Sequence, residues 1–160
     1  MPWLISAPTN DCRSLTYGSA THSAPHPLSQ SMTPLLDRFY VALKALSREG
    51  LAACVAEGFV LDWQGTEAIP WAGRWYGVQG LLDFVDKLNA EIEILEVERL
   101  HVLETADVTV VVLRGKWRSK RTNREVRATA ANLFTFSEGL VSSYTVLNNT
   151  AAFAEALQGT

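Results

Sequence analysis

Three polar side chains stand in stretches of this chain that otherwise read as buried. They are Tyr40 in Phe39-Tyr40-Val41-Ala42, Asp62 in Val60-Leu61-Asp62-Trp63, and Asn132 in Asn132-Leu133-Phe134-Thr135-Phe136. A carboxylate among apolar neighbours is partly desolvated, which makes it a stronger base. An Asn amide donates a neutral hydrogen bond without having to hold a proton. If the fold brings the three together, they define a small-molecule site: an apolar hollow with a few polar groups.

Each residue also has a plain structural reading. Tyr40 can pack its ring in the core with its hydroxyl on a backbone carbonyl. Asp62 can pair with Arg74 across a loop, and Asn132 can be satisfied by Tyr144. His101 and Arg99, placed on the inner face by strand parity, form an alternative acid–base pair. Trp63, Trp71, Trp75, Phe84, Trp117, Phe134, Tyr144 and Val146 are expected to line the ligand site, with Trp71 and Trp75 as loop plugs and pocket lid.

The elements that must position these groups follow from periodicity. Residues 7–33 are rich in Ser, Thr, Pro, Ala and His without sustained pattern, and 1–33 reads as a flexible tail preceding one domain, 34–158. Thr33 as N-cap with Pro34 at the first position opens a helix of about four turns that lasts until Gly50. A short helix, Leu51 to Ala56, leads through Gly58 into the strand Phe59 to Trp63. A Pro/Gly/Trp loop, Ile69 to Gly77, precedes a third helix from about Val78 to Asn89.

Four long strands follow, near 91–104, 108–121, 124–137 and 140–148, and a short helix closes the domain near 150–157. Apolar parity slips in the first of them, from Ile92 and Ile94 to Leu95 and Val97, then back at Leu100 and Val102, which predicts bulges. A loop at Thr105-Ala106-Asp107 sets Glu98 opposite Arg114, Glu96 opposite Lys116, Leu100 opposite Val112 and Val102 opposite Val110. Gly115, Ala128 and Ala130 share a face with Asn132. Unless large side chains descend from the helices, a cavity remains there. The order of elements gives an α+β domain, with helices covering one face of a curved sheet.

Composition limits the alternatives. With 160 residues, 48% of them hydrophobic, and a net charge of −3, one compact domain is expected. The stretch 114–127 holds seven of the fourteen Lys and Arg residues. Facing a row of glutamates in an acidic chain, it reads as a solvated hairpin face, so no nucleic-acid partner is expected. No apolar run approaches the roughly 20 residues of a membrane span, and the start lacks a secretory pattern, so a cytoplasmic location with no membrane partner is the default. Cys12 and Cys54 read as free thiols. His22 and His26 in a Ser/Pro stretch read as solvated, so neither a metal nor any other cofactor is expected.

From Phe39 to Leu157 the chain resembles the nuclear transport factor two fold superfamily, which includes ketosteroid isomerases and SnoaL-like polyketide cyclases. The segment Ile69-Pro70-Trp71-Ala72-Gly73 through Gly77, and the end Phe134 to Gly139 through Thr150-Ala151-Ala152, look most like SnoaL-like proteins. The resemblance implies a cone-like, mainly antiparallel sheet wrapped around three N-terminal helices. It also implies a homodimer formed through the sheet face away from the helices. Carried over from the isomerases, Tyr40 matches a tyrosine that donates to a developing enolate oxygen, Asp62 the aspartate that moves the proton, and Asn132 the second oxyanion donor. That arrangement is a known example of tuned acid–base chemistry. The ligand implied is a hydrophobic carbonyl compound, handled by a cofactor-independent isomerase, cyclase or lyase, or held without turnover.

Overall fold

The computed structural model describes residues 31–158. Cys12, His22 and His26 lie outside the described residues, as does the tail up to residue 30. The elements are α1 (Thr33–Lys44), α2 (Arg48–Ala52), β1 (Val55–Trp63), β2 (Gly73–Tyr76), α3 (Gly77–Glu91), β3 (Ile92–Glu104), β4 (Val108–Ser119), β5 (Glu125–Ser137), β6 (Leu140–Leu147) and α4 (Thr150–Gln158). The strands form one six-stranded sheet in the order β2-β1-β6-β5-β4-β3. Only the β1–β6 pair is parallel. Sheet and helices make the expected α+β domain.

The charged register of the β3–β4 hairpin is as the sequence predicts, with Glu98 facing Arg114 and Glu96 facing Lys116. The predicted slips are real bulges, between Ile94 and Glu96 and between Arg99 and His101. The second bulge moves the far end by one residue. His101 faces Val112 and Val102 faces Val111, where a regular ladder would put Leu100 and Val110. The basic run is engaged in ion pairs: Arg114 with Glu98, Lys116 with Glu125, and Arg118 with both Glu93 and Glu125. Lys116 and Arg118 hold the Glu125 carboxyl below its ordinary range.

Besides α2, which spans Arg48–Ala52 and not Leu51 to Ala56, and β1, which begins at Val55 and not at Phe59, three boundaries differ from expectation. α1 stops at Lys44, because Leu46 takes a left-handed φ of 52° and Ser47 caps α2 by accepting from the Gly50 amide at 3.1 Å. At its other end the N-cap is Met32, with no side-chain cap of its own. Glu104, at the end of β3, supplies the missing acceptor, taking bonds from the Met32 amide at 3.0 Å, Thr33 Oγ1 at 3.0 Å and Ser31 Oγ. A carboxylate at a helix N-terminus also complements the helix dipole, so α1 is pinned to the edge strand. The third difference is β2. The Pro/Gly/Trp segment was expected to be loop throughout, yet Gly73–Tyr76 pairs with β1, Asp62 facing Arg74 and Leu61 facing Trp75.

Strand alternation divides the sheet into two faces. Leu61, Trp63, Val111, Ala130, Asn132, Phe134, Tyr144 and Val146 are buried on the inner face, against α1, α3 and α4. The outer face carries Asp62, Val110, Val112, Leu133, Thr145 and Leu147. Among the described residues, no helix is long and apolar enough to cross a membrane.

Candidate functional site

Tyr40 and Asn132 meet. α1 brings the tyrosine down onto the inner face, where the Asn132 side-chain amide donates to the Tyr40 hydroxyl at 3.1 Å. The pair spans 92 positions of sequence, so only the folded chain creates it. Its chemistry is donor-rich. An Asn amide has two N–H donors and a tyrosine has one O–H, and one contact between them leaves two hydrogens to offer whichever way the amide is turned. Asn132 is 2% exposed. The Tyr40 hydroxyl is pushed up to about 12 by burial, against smaller lowering effects from the Asn132 hydrogen bond and the charge of Arg99, with Asp37 raising it slightly. It therefore stays a neutral donor at every physiological pH.

Arg99 joins this pair. Before the second bulge it faces Leu113 on the inner side, and its guanidinium carbon lies 5.7 Å from the centroid of the Tyr40 ring. Its Nη1 donates to Asp37 Oδ1 at 2.9 Å. Asp37 was not singled out in the sequence. The available signal was its spacing three residues before Tyr40 on one helix face, opposite in charge to Arg99. Asn132, Tyr40, Arg99 and Asp37 thus run from the buried interior to the half-exposed seam between α1 and β3.

Asp62 is not brought to the group. Its neighbours across the sheet are Thr145 and Arg74, and Leu133 lies beyond Thr145, so it belongs to the outer face while Leu61 and Trp63 on either side point inward. Arg74 Nε donates to its Oδ2 at 3.3 Å. The expected partly desolvated carboxylate among apolar neighbours is corrected to an ion pair on the far side of the sheet. His101 is corrected for a related reason: the bulge after Arg99 turns it outward opposite Val112, where it is exposed. Tyr144 also differs from expectation. It stacks on Phe134, ring centroids 4.6 Å apart and planes at 15°, and Asn132 takes Tyr40 as its partner instead. Burial raises the Tyr144 hydroxyl well above its ordinary range.

The hollow expected over Gly115, Ala128 and Ala130 is filled. Trp117 folds back across Gly115 so closely that a Cβ there would meet the indole Cη2 at 2.2 Å. Phe153 of α4 then sits edge-on to Trp117, Trp63 and Trp71, with centroids 5.3, 5.9 and 6.0 Å away. The filling comes from the sheet itself and the last helix, not from the three N-terminal helices. Phe153 was missed in the sequence, although it is the one aromatic residue of α4. Trp71 is fully buried, and Trp75 donates its indole N–H to the Trp71 carbonyl at 3.0 Å and lies 6.1 Å from Phe84. These residues are core more than lid. Hollows do open on the outer face, one of about 420 Å³ beside the Leu95 bulge lined by Glu96, Glu98, Arg114, Lys116 and Arg127, and another of about 400 Å³ by Ala131, Leu147 and Asn149. Among the described residues, no group of three or more His, Cys, Asp or Glu is placed to hold a metal.

An open, curved six-stranded sheet packed over helices is the architecture of an NTF2-like domain. The family model of the SnoaL-like domain matches residues 36–144, and the chain belongs to that family. Among solved structures it is similar to an NTF2-like protein from Burkholderia xenovorans LB400, with 25% identity over 81% of this chain and 98% of the other and a TM-score of 0.74. A protein described as a SnoaL-like polyketide cyclase, from Jannaschia sp. CCS1, shares the fold at 14% identity, covering 87% of this chain and 99% of its own, with a TM-score of 0.66. So does TerC, co-crystallised with polyporic acid, at 14% identity over 80% and 98% with a TM-score of 0.64. No curated protein matches the sequence.

Proposed function

We propose that this SnoaL-like domain binds a hydrophobic small molecule through an oxygen atom, a carbonyl or enolate, held by the hydrogens that Tyr40 and Asn132 retain after bonding to each other. The observation that carries the reading is the 3.1 Å contact between these two side chains, enclosed on the inner face beside the positive charge of Arg99. Neutral donors aimed at an oxygen, in a site with little water, stabilise negative charge on it. The relative crystallised with polyporic acid shows that this fold can hold an organic molecule. Proton transfer by Asp62 has no support in its surroundings, because its partner is Arg74 and its face is the outer one. The reading is therefore capture and polarisation of a ligand without Asp62 as base.

A panel of aromatic and steroid-like ketones, scored by thermal shift, supplies the probe, since a ligand at a hundred times its Kd stabilises by about 2.7 kcal/mol. Tyr40→Phe and Asn132→Leu are each expected to weaken the selected ketone roughly tenfold, about the net worth of one hydrogen bond in a desolvated site. Asp62→Asn should leave affinity within about twofold. Loss of binding in Asp62→Asn, or full binding in Tyr40→Phe, would refute the reading.

We also propose that the outer face pairs with a second copy. Leu103 and Leu147 are 59% and 44% exposed there, flanking Val110, Val112 and Leu133 across the strands. Contiguous apolar surface on a sheet marks an interaction face. Leu133→Glu should shift sedimentation from dimer to monomer at micromolar concentration, whereas a wild-type protein that sediments as a monomer at that concentration rules the pairing out.

A further inference from the structure

Arg99 has more hydrogen-bonding capacity than its surroundings use. A guanidinium presents five N–H donors in a rigid fork. Of these, Nη1 serves Asp37 at 2.9 Å, while Nε is buried with no partner. A fork of this shape matches a carboxylate through two parallel bonds, and Asp37 engages only one nitrogen. The burial is lopsided as well. The Arg99 side chain is 16% exposed and that of Asp37 is 55% exposed, so the cation has left water while its counter-ion remains largely in it. A buried charge is well compensated only by a partner that shares its environment and satisfies its remaining donors. On its inner side Arg99 lacks one.

We propose that Arg99 anchors the carboxylate of a hydrophobic oxo acid, which enters at the seam between α1 and β3, displaces Asp37 and sets its carbonyl oxygen against Tyr40 and Asn132. The inference rests on the ligand site proposed above and adds the charge of the ligand to it. The guanidinium carbon lies 5.7 Å from the Tyr40 ring centroid, so the anchor and the donor pair fall within the span of one small molecule. Asp37 acts as an internal stand-in for the ligand's carboxylate. Being exposed on one turn of α1, it can swing into solvent without disturbing the core.

The experiment is calorimetric titration of the full chain with 4-oxo-4-phenylbutanoate and, separately, with its primary amide, which keeps the ketone and removes the charge. Wild type is expected to bind the acid at least tenfold more tightly than the amide. Arg99→Gln should abolish that preference, lowering acid affinity by at least tenfold more than amide affinity. Asp37→Asn should tighten the acid severalfold and leave the amide unchanged. Equal affinities in wild type, or a preference that survives in Arg99→Gln, overturns the proposal. Asp37→Asn keeps the size of the side chain and an amide oxygen that Arg99 can still bond, so this variant is expected to fold, and unchanged acid affinity in it overturns the proposal even where Arg99→Gln does not fold. Binding of neutral ketones without any binding of the acid sinks this inference alone, whereas failure of every ketone to bind sinks the ligand site itself.

Discussion

Phe153→Ala should cost about 3–5 kcal/mol of stability, the range for deleting a buried aromatic ring whose surroundings cannot collapse. A domain of this size holds only about 5–15 kcal/mol in total, so the variant lies near the edge of folding. The reason is local. Phe153 is 2% exposed and touches Trp63, Trp71 and Trp117 edge-on, and two of those rings are held from another direction, Trp117 over Gly115 and Trp63 over Gly65, with Trp71 packed edge-on against Trp63. This leaves them little freedom to fill the gap. Urea unfolding gives the number, and tryptophan emission gives a second reading, because a hole among three indoles admits water and shifts their emission to the red. Phe153→Leu should recover more than half of the loss. A cost under about 1 kcal/mol in Phe153→Ala would mean that α4 is not part of the core.

The second large effect is alkaline. The Tyr40 hydroxyl is pushed up to about 12 by burial, whereas in the unfolded chain it titrates near 10. A folded value raised above the unfolded one favours the protonated form, so its contribution is complete below pH 10 and is lost as the pH climbs towards 12. Two units correspond to about 2–3 kcal/mol. Tyr144 is shifted in the same direction, and comparison with Tyr40→Phe isolates the part that belongs to Tyr40. At pH 8 the variant should be less stable by about 1–3 kcal/mol, since Asn132 loses its partner. By pH 11.5 wild type should have lost most of that advantage. A gap that stays constant across this interval would show that the Tyr40 hydroxyl is open to water in the folded protein.

The sequence carried the sheet well, for a physical reason. Alternation over long strands, with a row of acids facing a row of bases, allows one register between Glu96–Glu98 and Arg114–Lys116, and the structure has it. Parity slips marked the bulges. Their size could not be read from parity alone, and one extra residue after Arg99 was enough to send His101 to the opposite face. The same sensitivity governed Asp62: a polar residue inside a short apolar run can face either way, and its facing was settled by pairing with β2, a strand too short and too punctuated by Gly to announce itself. Tyr40 and Asn132 could be placed because each belongs to a long element with clear periodicity. The filling of the hollow was not legible, because it depends on the rotamer of Trp117 and on where α4 docks. Neither leaves a trace in spacing.

The mooring of α4 gives the domain an order of completion. Arg121, Thr122 and Arg124, all from the turn between β4 and β5, donate to the carbonyls of Leu157, Ala156 and Glu155, which α4 leaves free at its C-terminal end. That turn and the three indoles covered by α4 precede it in the chain. They are synthesised before it, and a greasy cleft ringed by tryptophans stays open until the last helix docks and is hooked down by the hairpin. A chain cut short after β6 would therefore keep its weakest, stickiest surface uncovered, the state in which a chaperone has most to hold.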